Sequence, residues 1–328
     1  MSKLRERKIL EEVYGRISVG TLFPNEAPDF LWKKKRKVIL GVEVTEYYNS
    51  ETDARLKLIG GYALDVLKSQ VYRHKHDKLN LRVETVTYLP GGDETKAFKI
   101  DGIFREIPSI RERLDRLGSI VHGKVSKSGI YLNRAPFVDL IVNDGDCAFR
   151  FENFADLYRP YSLHRVRSQV IESPFREVFL LTEGRDSQCV CIPLRANGFV
   201  EEVKKCERLY IENCKQRHKK LDYLSYISVL VEVLTRCGFG KARFKIESGL
   251  VKFRFASIEL TYCTDGTQIL DQTLDLPLQP WGDIVSELAK DIGEGERSEA
   301  EAIYNAREQY FSCCELLFAA RGTVDTNS

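Results

Sequence analysis

Two carboxylates stand fourteen residues apart on segments that read as neighbouring strands. Asp29 follows Pro28 and leads into Phe30-Leu31-Trp32, and Glu43 lies inside the apolar run Gly41-Val42-Glu43-Val44-Thr45. Burying a charge without a partner costs on the order of several kcal/mol, so an acid in such a run needs a counter-charge. A divalent cation is one. If the two segments pair as a hairpin, both carboxylates reach one sheet face, with Thr45 on that face two residues beyond Glu43. Glu6, in line with the apolar stripe of a preceding helix, is expected to bring a third carboxylate from a helix packed over the same face. Carboxylate oxygens, a backbone carbonyl and water form the oxygen shell that suits Mg²⁺ or Mn²⁺. Such an ion can activate water and stabilise charge during phosphodiester cleavage.

The elements that must position these groups follow from periodicity. Residues 3–18 read as a helix, with Glu6, Leu10, Val13 and Ile17 at helical spacing. Phe30–Trp32 and Val38–Tyr48 read as strands. Along the second, Val38, Leu40, Val42 and Val44 alternate with Ile39, Gly41, Glu43, Thr45 and Tyr47. A helix is expected over 50–73, with Ser50 and Asp53 as a capping pair and Gly60-Gly61 inside it permitting close packing. Then come a strand over 79–89, a helix over 106–122 and a nearly all-apolar strand over 137–142, the last suited to a covered sheet. A strand pair, 177–182 and 188–194, extends the series. This order is that of an α/β core with a mixed β-sheet flanked by helices. Residues 199–236 read as helical with a break near Lys220, 241–275 as strands, 298–320 as a helix and 322–328 as a loose tail.

Composition fits a folded chain with a sizeable core: 328 residues, 43% hydrophobic and 30% charged. No apolar run is long enough for a membrane span, and the charged N-terminus lacks an apolar signal region, so a cytoplasmic protein without membrane contact is expected. Nine cysteines without a C-x-x-C pair read as reduced thiols. The net charge of +2 hides an asymmetry. Residues 1–150 hold 27 basic and 21 acidic side chains, against 23 and 27 in 151–328. The first half is the better partner for a polyanion. There is no P-loop, dinucleotide fingerprint or G-x-S-x-G motif.

The Pro28-Asp29 and Glu43-Val44-Thr45 elements resemble the PD-(D/E)xK nuclease superfamily. That family has a restriction-endonuclease-like core of helix, β-meander, helix and strand. The resemblance covers about residues 1–145, within a nuclease-like region expected over 1–195. Residues 196–328 then form an α+β accessory, specificity or oligomerisation region. The resemblance implies that Asp29, Glu43 and the Val44 carbonyl bind Mg²⁺ or Mn²⁺, with Glu6 as the first-helix glutamate. It implies a metal-dependent endonuclease acting on DNA, with RNA as a further substrate class, in the manner of restriction or phage-defence effectors. The chain departs from the pattern at Thr45, where the family has a lysine. Thr45 can orient water but supplies no cation. Lys68, Lys124 and Lys127 are the candidates to replace it. The alternative is a module of the same fold that binds nucleic acid or a protein partner without cutting.

Lys33, Lys34, Lys35, Arg36 and Lys37 sit between the two acid-bearing strands. They read as a solvated hairpin tip or as a phosphate grip beside the site. A second basic patch, Arg73–Lys78, is expected at a helix end, where cations are favoured. Tyr47 and Tyr48 could stack on a base or pack as core.

Overall fold

The computed structural model describes residues 2–15, 21–92, 94–145, 147–149, 164–183, 189–218, 223–237, 243–247, 250–255, 258–263, 266–269, 284 and 286–288. The chain divides into two compact units. One is built from Met1–Glu46 and Leu117–Ser328, the other from Tyr47–Arg116. The boundary expected at 195/196 falls inside the first.

In the first unit, helix α1 (Lys3–Tyr14) starts where the Ser2 side chain accepts from the Arg5 N–H, and stops at Gly15, whose φ is 75°. It is shorter than the 3–18 helix expected, and residues 16–20 lie outside the described set. Three strands follow as an antiparallel meander: β1 (Leu22–Pro24), β2 (Phe30–Lys34) and β3 (Lys37–Glu46).

In the second unit, the 50–73 helix is two helices, α2 (Glu51–Leu58) and α3 (Tyr62–Ser69). Gly61 has φ 76°, and a Cβ on Gly60 or Gly61 would meet nothing within 4 Å. These glycines break the helix rather than permit close packing, because a left-handed residue cannot continue an α-helix. The short helix α4 (Lys75–Asn80) begins at His74, so the second basic patch opens a helix rather than closing one. Its Asp77 is fully buried. It accepts from Thr52, from Tyr62 and from the Arg55 guanidinium. Strands β4 (Leu81–Tyr88) and β5 (Phe98–Arg105) form a separate two-stranded ribbon. The sequence reading missed β5, which alternates too weakly and is exposed along most of its length. Tyr47 is buried and donates to the Arg113 carbonyl at 3.2 Å, a core role rather than a stacking platform.

Helix α5 (Ile110–Val125), whose residues from Leu117 on belong to the first unit, precedes α6 (Ser128–Leu132) and β6 (Val138–Asn143). After α7 (His164–Ile171) come β7 (Glu177–Glu183) and β8 (Cys189–Pro193). The sheet runs β1-β2-β3-β6-β7-β8, with β3, β6 and β7 parallel and the outer pairings antiparallel. It is a mixed six-stranded sheet flanked by helices. The expected strand pair does extend it.

Helices α8 (Leu194–Gln216) and α9 (Tyr223–Arg236) follow, and then a four-stranded antiparallel sheet of β9 (Arg243–Glu247), β10 (Leu250–Phe255), β11 (Ile258–Cys263) and β12 (Gly266–Ile269). The helix expected over 298–320 and the tail over 322–328 lie outside the described residues.

Strand alternation sorts the central sheet into two faces. Val44, Ile141 and Phe179 form one row across three strands, and Glu43, Leu140 and Val178 form the adjacent row on the opposite face. Ile9 and Leu10 of α1 pack with Leu40, Val42, Val44, Ile141 and Phe179. This corrects one expectation. Helix α1 covers the valine face, not the Glu43 face, because the valine row is the larger apolar surface to bury. Among the described residues, no helix is long and apolar enough to cross a membrane. Cys147, Cys189, Cys191, Cys206, Cys214 and Cys237 form no disulfide among the described residues.

Candidate active site

Phe30 pairs with Val42, so one further step of the register sets Asp29 opposite Glu43. Two local features hold Asp29 there. The Asn25 backbone N–H donates to the Asp29 carbonyl at 2.7 Å, and the Asn25 amide donates to the Pro28 carbonyl at 2.9 Å. Gly41 makes room for Pro28, since a Cβ on Gly41 would stand 2.6 Å from Pro28 Cγ and 3.0 Å from Ala135 Cβ. The Asp29 carboxylate then accepts the Val44 N–H at 2.9 Å through Oδ2. It satisfies a β3 donor beyond the point where β2 pairing ends.

Glu43 is buried, and its carboxylate is held from the helical layer over its face. Lys124 of α5 donates to Oε1 at 2.6 Å, and the Tyr131 hydroxyl of α6 donates to the same oxygen at 3.1 Å. Oε2 is buried and has no hydrogen-bond partner among the described residues. A buried carboxylate oxygen left so is costly unless something else meets it. Burial raises the Tyr131 phenol well above its usual range, and the charges of Glu43 and Asp29 raise it further. It therefore stays a neutral donor at physiological pH.

A second ammonium serves the other acids. Lys3 Nζ is 2.7 Å from Asp29 Oδ1 and 2.9 Å from Glu6 Oε2. Partial burial lowers the Lys3 pKa, but its bonds to Asp29 and Glu6 outweigh this and leave it raised. Glu6 is thus tied to Asp29 through a lysine, on the helix that packs over the opposite face from Glu43.

Of the other residues singled out, Thr45 is half-buried on β3, and Val44 is buried. Among the lysines weighed as replacements at position 45, Lys124 reaches Glu43. Lys127 immediately precedes α6 without a side-chain capping bond, and Lys68 lies on α3 in the other unit. Lys3 and Tyr131 were not singled out from the sequence. Lys3 is one cation among four in residues 3–8, and Tyr131 belongs to no motif.

No group of three His, Cys, Asp or Glu side chains is gathered to hold a metal ion among the described residues. A divalent ion such as Mg²⁺ can be held by one or two carboxylates and water rather than by a closed protein cage. The orphaned Glu43 Oε2 is the oxygen such an ion would meet. No protein-family model, curated protein or solved structure matches the chain.

Proposed function

We propose that the chain is a metal-dependent endonuclease with a restriction-endonuclease-like core, hydrolysing phosphodiester bonds of DNA, and that Lys124 takes the part of the lysine absent at position 45. One observation carries this reading. Lys124 Nζ stands 2.6 Å from Glu43 Oε1, beside a second Glu43 oxygen that is buried and unsatisfied. The topology supports it: α1, the β1-β2-β3 meander, α5 and the parallel strand β6 follow the helix, meander, helix and strand that the resemblance implies.

Asp29, Glu43 and the Val44 carbonyl would hold Mg²⁺ or Mn²⁺, with Glu6 contributing directly or through water. The bound ion would supply Lewis acidity towards a phosphoryl oxygen and a more acidic water. The protein's own groups have separate tasks. Tyr131 and Lys124 fix one Glu43 oxygen and leave the other directed elsewhere. The Lys124 ammonium places a positive charge where negative charge develops in phosphodiester cleavage, and such a preorganised charge is worth several kcal/mol in a partly dry site. The Thr45 hydroxyl can orient water. The role as a restriction or phage-defence effector rests on analogy of fold, with the 196–328 region as the candidate for target or partner recognition.

The test incubates the full chain with plasmid DNA, linear DNA and RNA in Mg²⁺ or Mn²⁺, beside Asp29→Ala, Glu43→Ala, Lys124→Met and Thr45→Ala. We expect cleavage by the wild type and its loss in the two carboxylate variants. Lys124→Met should lower the rate by about 10²–10³-fold, and Thr45→Ala by far less. Full activity of Lys124→Met would reject its assigned part, and cleavage surviving both carboxylate substitutions would reject the site. A wild type that binds nucleic acid and never cuts it supports the second reading, a binding module of the same fold. The two ammonium ions already bound to Asp29 and Glu43 favour that alternative.

A further inference from the structure

The β2–β3 turn is built against its own stability. Lys34 pairs with Lys37, so the turn consists of Lys35 and Arg36 alone. Both have positive φ, 48° and 66°. A two-residue turn with both residues left-handed is the type I′ arrangement, where Asn-Gly fits best and long side chains fit poorly. Lys34 and Lys37 are directly opposed like charges, which repel. Lys34, Lys35, Arg36 and Lys37 are exposed. None of the five cations from Lys33 to Lys37 forms an ion pair among the described residues, although Lys3, Arg5, Arg55, Lys124 and Arg176 all do. Lys33 instead lies over the Phe23 ring, 4.5 Å from its centre, which holds its ammonium at the hairpin. A polyanion would relieve the repulsion that the fold leaves uncompensated.

The position of the tip defines the polyanion. Glu43 lies six residues along β3 from Lys37. At about 3.3 Å per residue that is a span of ~20 Å, along a strand locked to β6 from Gly41 onward. One strand of a duplex advances about 3.4 Å per nucleotide, so ~20 Å corresponds to about six base pairs. A duplex is stiff over such lengths and keeps its phosphates at fixed spacing.

We infer that the Lys33–Lys37 tip grips the phosphate backbone of a nucleic acid duplex about six base pairs from the point held at Asp29 and Glu43. The span to the acid pair rests on the proposed function; the grip itself rests on the turn alone.

The test uses the full chain, with Lys35→Asn/Arg36→Gly as the variant. This change removes two charges and installs the turn sequence that a type I′ hairpin prefers, so folding is preserved and thermal stability should be equal or higher. Binding is read by fluorescence anisotropy in EDTA, where nothing is cut. The ligands are labelled DNA duplexes of 4 and 16 base pairs closed by uncharged linkers. The wild type should bind the longer duplex with a logarithmic salt slope of about −4 to −5, and the variant's slope should be shallower by about 2 units. The short duplex, ~14 Å long, can seat on the tip alone and should show the same direction of change in slope. Wild-type binding with an unchanged slope in the variant would overturn the grip and leave the nuclease reading standing. In Mg²⁺, uncharged methylphosphonate links placed about six base pairs from the cut should slow wild-type cleavage, and links there without effect would overturn the span. Failure of the wild type to bind either duplex, together with failure to cleave plasmid, would remove both readings. Loss of binding to phosphatidylserine vesicles, with DNA binding unchanged, would assign the tip to a membrane surface and overturn the inference.

Discussion

Asp29 Oδ1, Asp29 Oδ2 and Glu43 Oε1 each have a definite neighbour, and two of those neighbours are ammonium groups, while Glu43 Oε2 has none among the described residues. Lys3 bridges Asp29 Oδ1 and Glu6 Oε2, two of the carboxylates that would hold a divalent ion. It is then a competitor of that ion. Its side chain is 44% exposed, so each pair is screened and worth about 0–1 kcal/mol. Lys3→Met should therefore tighten Mn²⁺ binding by roughly 3- to 10-fold, as read by titration calorimetry without nucleic acid. Unchanged or weaker binding would show that Lys3 helps assemble the carboxylates instead. The acid pair was legible in the sequence because a charge inside Gly41–Thr45 breaks the apolar pattern. The identity of the cation was not. Lys124 stands 81 residues from Glu43 across a separate compact unit, and no local pattern marks which lysine returns. Tyr131 carried no signal beyond being an aromatic residue, since its part is set by what α6 faces.

At the scale of elements, the hairpin carries both the site and its fragility. Asp29 stands where it does because Pro28 packs against the bare Cα of Gly41. Gly41→Ala would bring a methyl group to 2.6 Å from Pro28 Cγ and 3.0 Å from Ala135 Cβ, so the Pro28-Asp29 segment must move. Overpacking of this kind costs about 1–3 kcal/mol. The expected result is a lower unfolding midpoint together with loss of the Asp29 bond to the Val44 N–H, seen as faster hydrogen exchange at Val44. Protection at Val44 equal to the wild type's would reject the argument. Period-2 alternation marks the two faces of β3 in the sequence itself, and the nearly all-apolar run at 137–142 marks β6 as an inner strand. Other elements were less legible. The face covered by α1 depends on which row of the completed sheet is more apolar, and that sheet includes Ile141 and Phe179, far along the chain. The break at Gly60-Gly61 depends on a backbone conformation that a helical pattern on both sides conceals.

For the molecule as a whole, the central sheet unit carries a pH dependence built from its far side. Glu177, at the start of β7, is fully buried. Its carboxylate accepts the Arg195 N–H at 2.6 Å and the Ala196 N–H at 3.1 Å, at the first turn of α8. Pro193, the residue preceding that helix, offers no side-chain cap, so a carboxylate from the neighbouring strand does the capping. Asp139, on the adjacent strand, is held by the Arg176 guanidinium and by the Tyr14 hydroxyl, which connects α1 to the same region. Burial pushes the Glu177 carboxyl up to about 8; the N–H donors and Arg195 oppose the rise, and Asp139 adds to it. An unfolded glutamate titrates near its ordinary value of 4.5. The folded state therefore binds the extra proton between the two values. The stabilisation from this group is complete below about pH 4.5 and is lost as pH rises through about 8. Glu177→Gln keeps the shape and removes the titration. Urea unfolding at pH 5.5 and pH 8.5 should show the wild type losing on the order of 2–4 kcal/mol relative to the variant across this window. A difference between the two proteins that stays constant with pH would mean that the N–H donors of α8 hold Glu177 ionised throughout, and that the helix start is a permanent anion site.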